Sequence, residues 1–306
     1  MFKMDYKALE KCMLCPRNCG VNRLKGQAGR CKMGAGLVVA RAALHYWEET
    51  CISGENGSGA VFFSGCNMGC IFCQNSQISG GGCGTEITVE RLADIFLELE
   101  EQGANNINLV TPTHYVPQIV QALDLAKQKG MSLPVVYNTS GYETVDTIRM
   151  LDGYVDIYLP DYKYRDSVLA KEYSKAEDYP ETAAKAIEEM IRQIGECRFD
   201  EETGLMKRGV IVRHMVLPGN IQNSKDVLEF LYQKYGNRIY YSIMSQYTPM
   251  PHMADHPLLR RKVTKREYER VVEFALTLGI ENGFIQDGEV AKDSFIPAFD
   301  GSGVYE

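Results

Sequence analysis

The amino-acid sequence predicts an α/β fold: six strand–helix units forming a curved parallel sheet with helices outside, behind a small cysteine-rich extension. Three observations carry this prediction. Strand and helix signals alternate regularly from about residue 60 to residue 279, polar motifs gather where the strands should end, and seven of the ten cysteines fall in two tight groups near the start. A chain of 306 residues with 45% hydrophobic and 24% charged residues is long enough to bury a large core. Lys and Arg number 33 against 40 Asp and Glu, giving a net charge of -7. No basic run forms a stripe for phosphate, so no nucleic-acid partner is expected. The opening MFKMDYKALEKC lacks the apolar core of a signal peptide, and no apolar run approaches the roughly 20 residues that span a bilayer. A cytoplasmic protein without a membrane partner is therefore expected. Its division is an N-terminal extension over 1–50, a core over 51–280 and a tail over 281–306.

In chain order, Cys12, Cys15, Cys19 and Cys31 come first, spaced C-x2-C-x3-C-x11-C among Gly20, Gly26 and Gly29. Four thiolates close a coordination sphere, and so polar a segment needs a bound metal to fold. Zinc in a tetrahedral thiolate site and a second 4Fe-4S cluster both fit the spacing. An electron-relay role also stays open. Residues 35 to 64 read as two strands around the turn-forming SGENGSG, the second being Ala60 to Phe63, with Glu48 and Glu49 as paired or solvated carboxylates.

The next stretch, CNMGCIFC, places Cys66, Cys70 and Cys73 at C-x3-C-x2-C with Phe72 just before the third. Three thiolates on so short a loop can ligate three irons of an iron-sulfur cube and leave the fourth iron open. A zinc site here would need a fourth ligand from Cys51 or Cys83, and neither has clear ligand spacing to the loop.

Beyond the loop, Thr88 to Gln102 carries Leu92, Ile95, Phe96 and Leu99 at helical spacing, with Thr88 as cap and Gly103 as stop. Asn108–Val110, Val135–Tyr137 and Val155–Leu159 read as buried strands, separated by helices over about 117–129 and 144–151. Tyr164 to Asp178 reads as an insertion suited to a substrate or partner loop. Pro180 suits the first turn of the next helix. Val210–Leu217 and Ile239–Met244 complete the strands. Ser224 caps the helix to Tyr235, and Thr264 with Glu267 makes a capping box before the helix ending at Gly279. The tail offers apolar anchors at Phe284, Ile285, Phe295, Ile296 and Phe299, expected across the barrel mouth or flank, with Asp287, Glu289 and Asp300 able to line the site.

At the cysteine loop the sequence resembles the radical S-adenosylmethionine (SAM) superfamily. The resemblance implies an open (β/α)6 partial TIM barrel of the radical SAM type, a 4Fe-4S cluster on Cys66, Cys70 and Cys73, and SAM chelated at the open iron. It also implies reductive cleavage of SAM to a 5'-deoxyadenosyl radical that abstracts hydrogen from a substrate. Activating enzymes of this superfamily place a Gly-Gly-Glu segment after the second strand. This chain has Thr111-Pro112-Thr113-His114-Tyr115 there, so Thr113 and His114 become the candidates for the SAM amine.

The next strand ends, Asn138-Thr139-Ser140-Gly141 and Asp161-Tyr162-Lys163, are similar to those of the pyruvate formate-lyase activating enzymes. This narrower resemblance implies that Lys163 pairs with the SAM carboxylate and that Asp161 and Thr139 offer oxygens to a monovalent cation. Asn138, beside Ser140, stands where that subgroup has an acid. Arg213 and His214 interrupt an apolar strand, and alternation points only one of them inward. His214 is taken as the inward SAM or substrate contact, and Gln246 with Tyr247 as the substrate side.

The expected function is radical SAM chemistry, with a glycyl-radical protein as candidate substrate and a flavodoxin or ferredoxin as reductant by analogy. The alternatives are radical modification of a small molecule or peptide, and an iron-sulfur electron-transfer or metal-binding protein that never cleaves SAM.

Overall fold

In the computed structural model the described residues are 6–285 and 297–305. Ten strands form one sheet: β1 (Leu37–His45), β2 (Ser58–Phe63), β3 (Thr85–Ile87), β4 (Ile107–Val110), β5 (Val135–Thr139), β6 (Ile157–Pro160), β7 (Arg198–Phe199), β8 (Met206–Met215), β9 (Tyr240–Met244) and β10 (Gly283–Ile285). Their order is β10-β9-β8-β6-β5-β4-β2-β1-β3, with β7 paired to β8. From β2 to β10 every neighbour along this path is parallel, whereas β1 runs antiparallel to both β2 and β3. Among the described residues β3 and β10 end the order without meeting, so the barrel stays open. The six expected parallel strands are all present. The tail supplies a seventh, β10, paired Phe284 to Ser242.

Side-chain alternation sorts this sheet into two faces. Val136, Ile157, Leu159 and Ile211 form an inner cluster with Cys51, Ile52 and Met206. Their neighbours Val135, Tyr137, Tyr158, Val210 and Val212 pack outward with the helices. Two residues further along each strand, the inward positions become Asn138, Asp161 and Arg213, so the same period that fills the barrel floor puts polar groups above it.

The helices start where local chemistry allows. Thr88 Oγ1 accepts the Arg91 amide at 3.1 Å at the head of Val89–Glu101, which buries Leu92, Ile95, Phe96 and Leu99. Pro lies in the first turn of Val116–Gln128 and of Tyr179–Ile194. Thr264 and Glu267 form the expected capping box for Lys265–Leu278. The insertion after β6 is not an open loop. It holds a helix, Ser167–Ser174, because Asp166 caps it and Lys175 ends it in the left-handed region at φ 52°.

The tail lies against the sheet edge: the Gly301 amide donates to Ala40 O at 3.1 Å, and Ala42 donates to Ser302 O at 2.9 Å. Phe299 packs on Phe62 with ring centres 5.6 Å apart, and Asp300 pairs with Arg41 at 3.0 Å. Asp287, Glu289, Phe295 and Ile296 lie outside the described residues. Among the described residues no helix is long and apolar enough to cross a membrane.

Candidate active site

The cysteine loop leaves the C-terminal end of β2, all six residues of which are buried. Gly65 and Gly69 take φ of 86° and 78°, values open mainly to glycine, and so let the chain fold back within eight residues. Neighbouring elements fix the loop from several sides. Asn67 Nδ2 donates to Tyr142 O at 2.6 Å and the Ile71 amide to Tyr173 O at 2.9 Å. Ser174 Oγ donates to Cys70 Sγ at 3.0 Å, and His252 Nε2 to Ile71 O at 2.6 Å. Phe72 is buried edge-on between Tyr173 and Tyr247, so it anchors the loop from below. Tyr247 is thus packed under the loop, its hydroxyl on Leu259 O at 2.6 Å.

Cys66, Cys70 and Cys73 are free thiols. Burial first, then Cys70 and Cys73 nearby, push Cys66 up to about 12; burial and Cys70 raise Cys73. Such thiols ionise readily only when a cation shares the pocket, and this donor set fits a cluster better than a free nucleophile. Among the described residues no three His, Cys, Asp or Glu side chains already converge on one ion. A cube instead spreads its ligands over separate irons, so three separated thiols suit it.

The three thiols line a cavity of about 260 Å³, whose other walls carry Asn138, Thr139, Ser140, Asp161, Lys163 and Gln246. The structure therefore brings most of the expected residues together. Lys163 Nζ pairs with Asp161 Oδ2, while Arg213 Nε lies 3.2 Å from Asp161 Oδ1. Burial acts to raise Asp161, but the two cations outweigh it and hold the carboxyl below its ordinary value. Burial likewise acts to lower Lys163, and Asp161 outweighs it. Both groups stay charged inside the barrel. Lys163 and Arg213 thus meet the two oxygens of Asp161 from either side.

Arg213 is the inward residue, not His214. Its Nη1 lies 2.9 Å from Glu48 Oε2 and its Nη2 donates to Asn138 Oδ1 at 2.6 Å. Glu48 Oε1 in turn accepts from Asn108 and Asn138, each at 3.1 Å. His214 points outward: Nδ1–H donates to Tyr162 O at 2.8 Å and Nε2 accepts from Ser224 Oγ at 2.9 Å. Burial lowers it to about 4, so it is a neutral strut between sheet and helix. The physical reason is the register of β8, where Ile211, Arg213 and Met215 share the inner face.

Thr113 and His114 also lie off the cavity wall. His114 Nε2 donates to Ser64 O at 2.7 Å, and burial lowers its pKa to about 3. Thr113 Oγ1 donates to Glu143 Oε1 at 2.6 Å, and Thr139 reaches the same oxygen. Thr111 lines the cavity instead, in the left-handed region at φ 59°, a costly conformation for a β-branched residue and one that marks functional strand ends. Cys12, Cys15, Cys19 and Cys31 sit outside the cavity. Glu48, Arg213 and Thr111 are the site residues that sequence reasoning missed. For Arg213 the signal was present, since it shares the parity of Ile211.

An open parallel barrel with thiols and a polar cavity at the C-terminal ends of its strands has its cavity where enzymes of this architecture carry their active sites. The Radical SAM superfamily profile matches residues 60–231, more than half of the chain, and the protein belongs to that superfamily. The family implies a 4Fe-4S cluster and SAM.

An uncharacterized protein of Methanocaldococcus jannaschii, MJ0674, is 28% identical over 276 residues, covering 87% of this chain and 74% of its own. The structure of the FeFe-hydrogenase maturase HydG from Carboxydothermus hydrogenoformans is similar with a TM-score of 0.52 at 11% identity, over 78% of this chain and 55% of HydG. That likeness is one of fold. A domain of pyruvate-formate lyase-activating enzyme from Bacteroides vulgatus aligns with a TM-score of 0.43 at 12% identity, over 60% of this chain and the whole of that domain.

Proposed function

We propose that the protein is a radical SAM enzyme that abstracts hydrogen from a substrate held over the Cys66, Cys70 and Cys73 loop. Cys66, Cys70 and Cys73 would hold a 4Fe-4S cluster which, when reduced, would supply the one electron needed to cleave SAM to methionine and the 5'-deoxyadenosyl radical that abstracts hydrogen from the substrate. The electron comes from a one-electron donor of the flavodoxin or ferredoxin class. The observation that carries the reading is the shared cavity, in which three thiols face a largely buried, charged Asp161–Lys163–Arg213 group. Lys163 is close enough to Cys70 to feel its charge and would meet the carboxylate of SAM as a point charge. Arg213 shares Asp161 with Lys163. Asn138, Thr139 and Ser140 offer hydrogen bonds to the rest of the cofactor.

The substrate reading is a glycyl-radical protein, from which hydrogen would be taken at a glycine Cα, as the strand ends Asn138–Gly141 and Asp161–Lys163 suggest. Anaerobic reconstitution with iron and sulfide, then dithionite and SAM, tests the chemistry by 5'-deoxyadenosine release. Wild type forms it and Cys70→Ala does not. Iron uptake without any SAM cleavage in wild type refutes the reading and leaves an electron-transfer protein. For the substrate, a glycine-radical doublet in electron paramagnetic resonance on an added glycyl-radical protein supports the activase role, and its absence while 5'-deoxyadenosine forms with a small molecule or peptide overturns it.

A further inference from the structure

We infer that Ser174, backed by Tyr164, is a positioning residue for the catalytic loop: its hydroxyl, donated to Cys70 Sγ, makes a cluster held by that loop easier to reduce. This role rests on the cluster reading of Cys66, Cys70 and Cys73, and it gives a task to the insertion that follows β6.

Each of the three thiols accepts hydrogen bonds, but from different parts of the chain. Cys66 accepts from the Met68 amide at 3.4 Å, and Cys73 from the Asn75 amide and the Ser79 hydroxyl. Those donors belong to the loop and the turn after it, so the local fold of the loop supplies them. The donor to Cys70 comes from 104 positions away. It is Ser174 Oγ, 3.0 Å from Cys70 Sγ, on the last residue of the helix Ser167–Ser174.

Ser174 has one proton to give, and Tyr164 fixes where it goes. The Tyr164 hydroxyl lies 2.8 Å from Ser174 Oγ. Burial holds the phenol well above its ordinary pKa, so it keeps its proton and donates it to Ser174, which leaves the serine proton for sulfur. Both residues are fully buried, so water does not compete for either bond. Tyr164 is itself held in place. Asn223 Nδ2 donates to Lys163 O at 3.0 Å while its Oδ1 accepts the Arg165 amide at 2.9 Å, which pins the backbone on both sides of Tyr164. The ring lies edge-on to Tyr173 and Tyr179, with centres 6.5 and 5.4 Å away. Along this strand end Asp161 and Lys163 face the cavity, and Tyr164 turns to Ser174 instead.

A hydrogen bond to sulfur strengthens as electron density on that sulfur rises. It therefore favours the reduced over the oxidised form of a thiolate-bound cluster, and such bonds are one of the levers that set cluster potentials. Reduction precedes SAM cleavage, so Tyr164 and Ser174 act on the first event of the reaction without touching SAM or substrate. The helix that carries Ser174 is tied to the loop at further points. Tyr173 O accepts the Ile71 amide at 2.9 Å, and Arg17 donates to Ser174 O at 3.1 Å and to Met68 O at 2.9 Å. These acceptors are backbone carbonyls, so Ser174→Ala removes the bond to sulfur and leaves the ties between helix and loop.

The test uses the full chain, purified and reconstituted without oxygen, as wild type, Ser174→Ala and Tyr164→Phe. Iron and sulfide per chain are measured first, and the reduced fraction of the cluster is then read by electron paramagnetic resonance at a series of poised potentials. Both variants are expected to match wild type in iron. At the potential where half of the wild-type cluster is reduced, the ratio of reduced to oxidised should fall about threefold to tenfold in Ser174→Ala. It should fall by a smaller factor in Tyr164→Phe, which keeps the serine bond and loses the phenol behind it. SAM cleavage should fall in step with a donor poised near that potential and return with excess dithionite. An unchanged or raised ratio in Ser174→Ala overturns the role of Ser174. If that variant takes up no iron, Tyr164→Phe decides alone, and an unchanged ratio there overturns it. Wild type that cleaves SAM while the variants keep its potential counts against Ser174 only. Wild type that takes up iron and never cleaves SAM counts against the catalytic reading, and the potentials still decide on Ser174.

Discussion

Replacing Glu143 by Gln should change how stability depends on pH. Its carboxyl is buried, with Oε1 accepting from Thr113 and Thr139. Burial, only partly offset by the hydroxyls of Thr113, Thr139 and Tyr137, raises it from 4.5 to about 7. Between these values the folded protein holds a proton that the unfolded chain has released. The associated stability is complete below 4.5 and is lost as pH rises through about 7. A gap of about 2.5 pH units corresponds to about 3 kcal/mol. Gln cannot ionise, so the variant should gain on wild type by about 2.5 kcal/mol between about pH 5 and pH 8.

His114 and His214 run the other way. Burial lowers both, so their contribution is present above their ordinary 6.5 and lost as pH falls through about 3 and about 4. Both proteins contain them, and they cancel in the difference. Urea unfolding at several pH values measures that difference directly. Two profiles that stay parallel within about 0.5 kcal/mol would refute a raised Glu143 and the burial argument behind it.

Arg213→Ala leaves Glu48 and Asp161 buried without their shared cation and should cost about 3–5 kcal/mol in denaturant unfolding; a loss below about 1 kcal/mol would mean that water enters and solvates the pair. Gly141→Ala forces a Cβ against the Asp161 carbonyl at φ 76° and should lower stability by at least about 2 kcal/mol. Calorimetry reads it, and an unchanged melting temperature would show that the loop yields freely. Lys163→Met should weaken SAM binding about tenfold or more while iron content stays at the wild-type level, measured by equilibrium dialysis of the reconstituted protein. Equal affinity would remove Lys163 from the cofactor wall.

Much of this was legible because two periods are written plainly in the chain. Alternating apolar runs and 3.6-residue stripes gave the six parallel strands and their helices, and the strand ends, read together with the family resemblance, located Asn138, Asp161 and Lys163 without any contact being known. The errors have physical causes. His214 and Arg213 are adjacent, so choosing the inward one needs the register of β8, which the apolar residues on both faces conceal. Thr113 and His114 follow a strand end but turn away, because Thr111 takes a left-handed backbone that no local signal announces. β10 is three residues long in turn-rich sequence, and only its pairing to β9 makes it a strand. Glu48 is remote in sequence from Arg213, and its pairing became visible only once β1 folded beside β2.

The hydrogen bonds between β1 and residues 301 and 302 join stretches about 260 positions apart. A chain made from its N-terminus has finished β1, the cysteine loop and most of the barrel well before these residues exist, and contacts of such separation form late. Until then the edge of β1 at Ala40 and Ala42 has nothing from the tail to bond, and Phe62 lacks Phe299. The barrel thus has an interval on the ribosome in which this edge of its sheet stands without the partners it has in the finished protein.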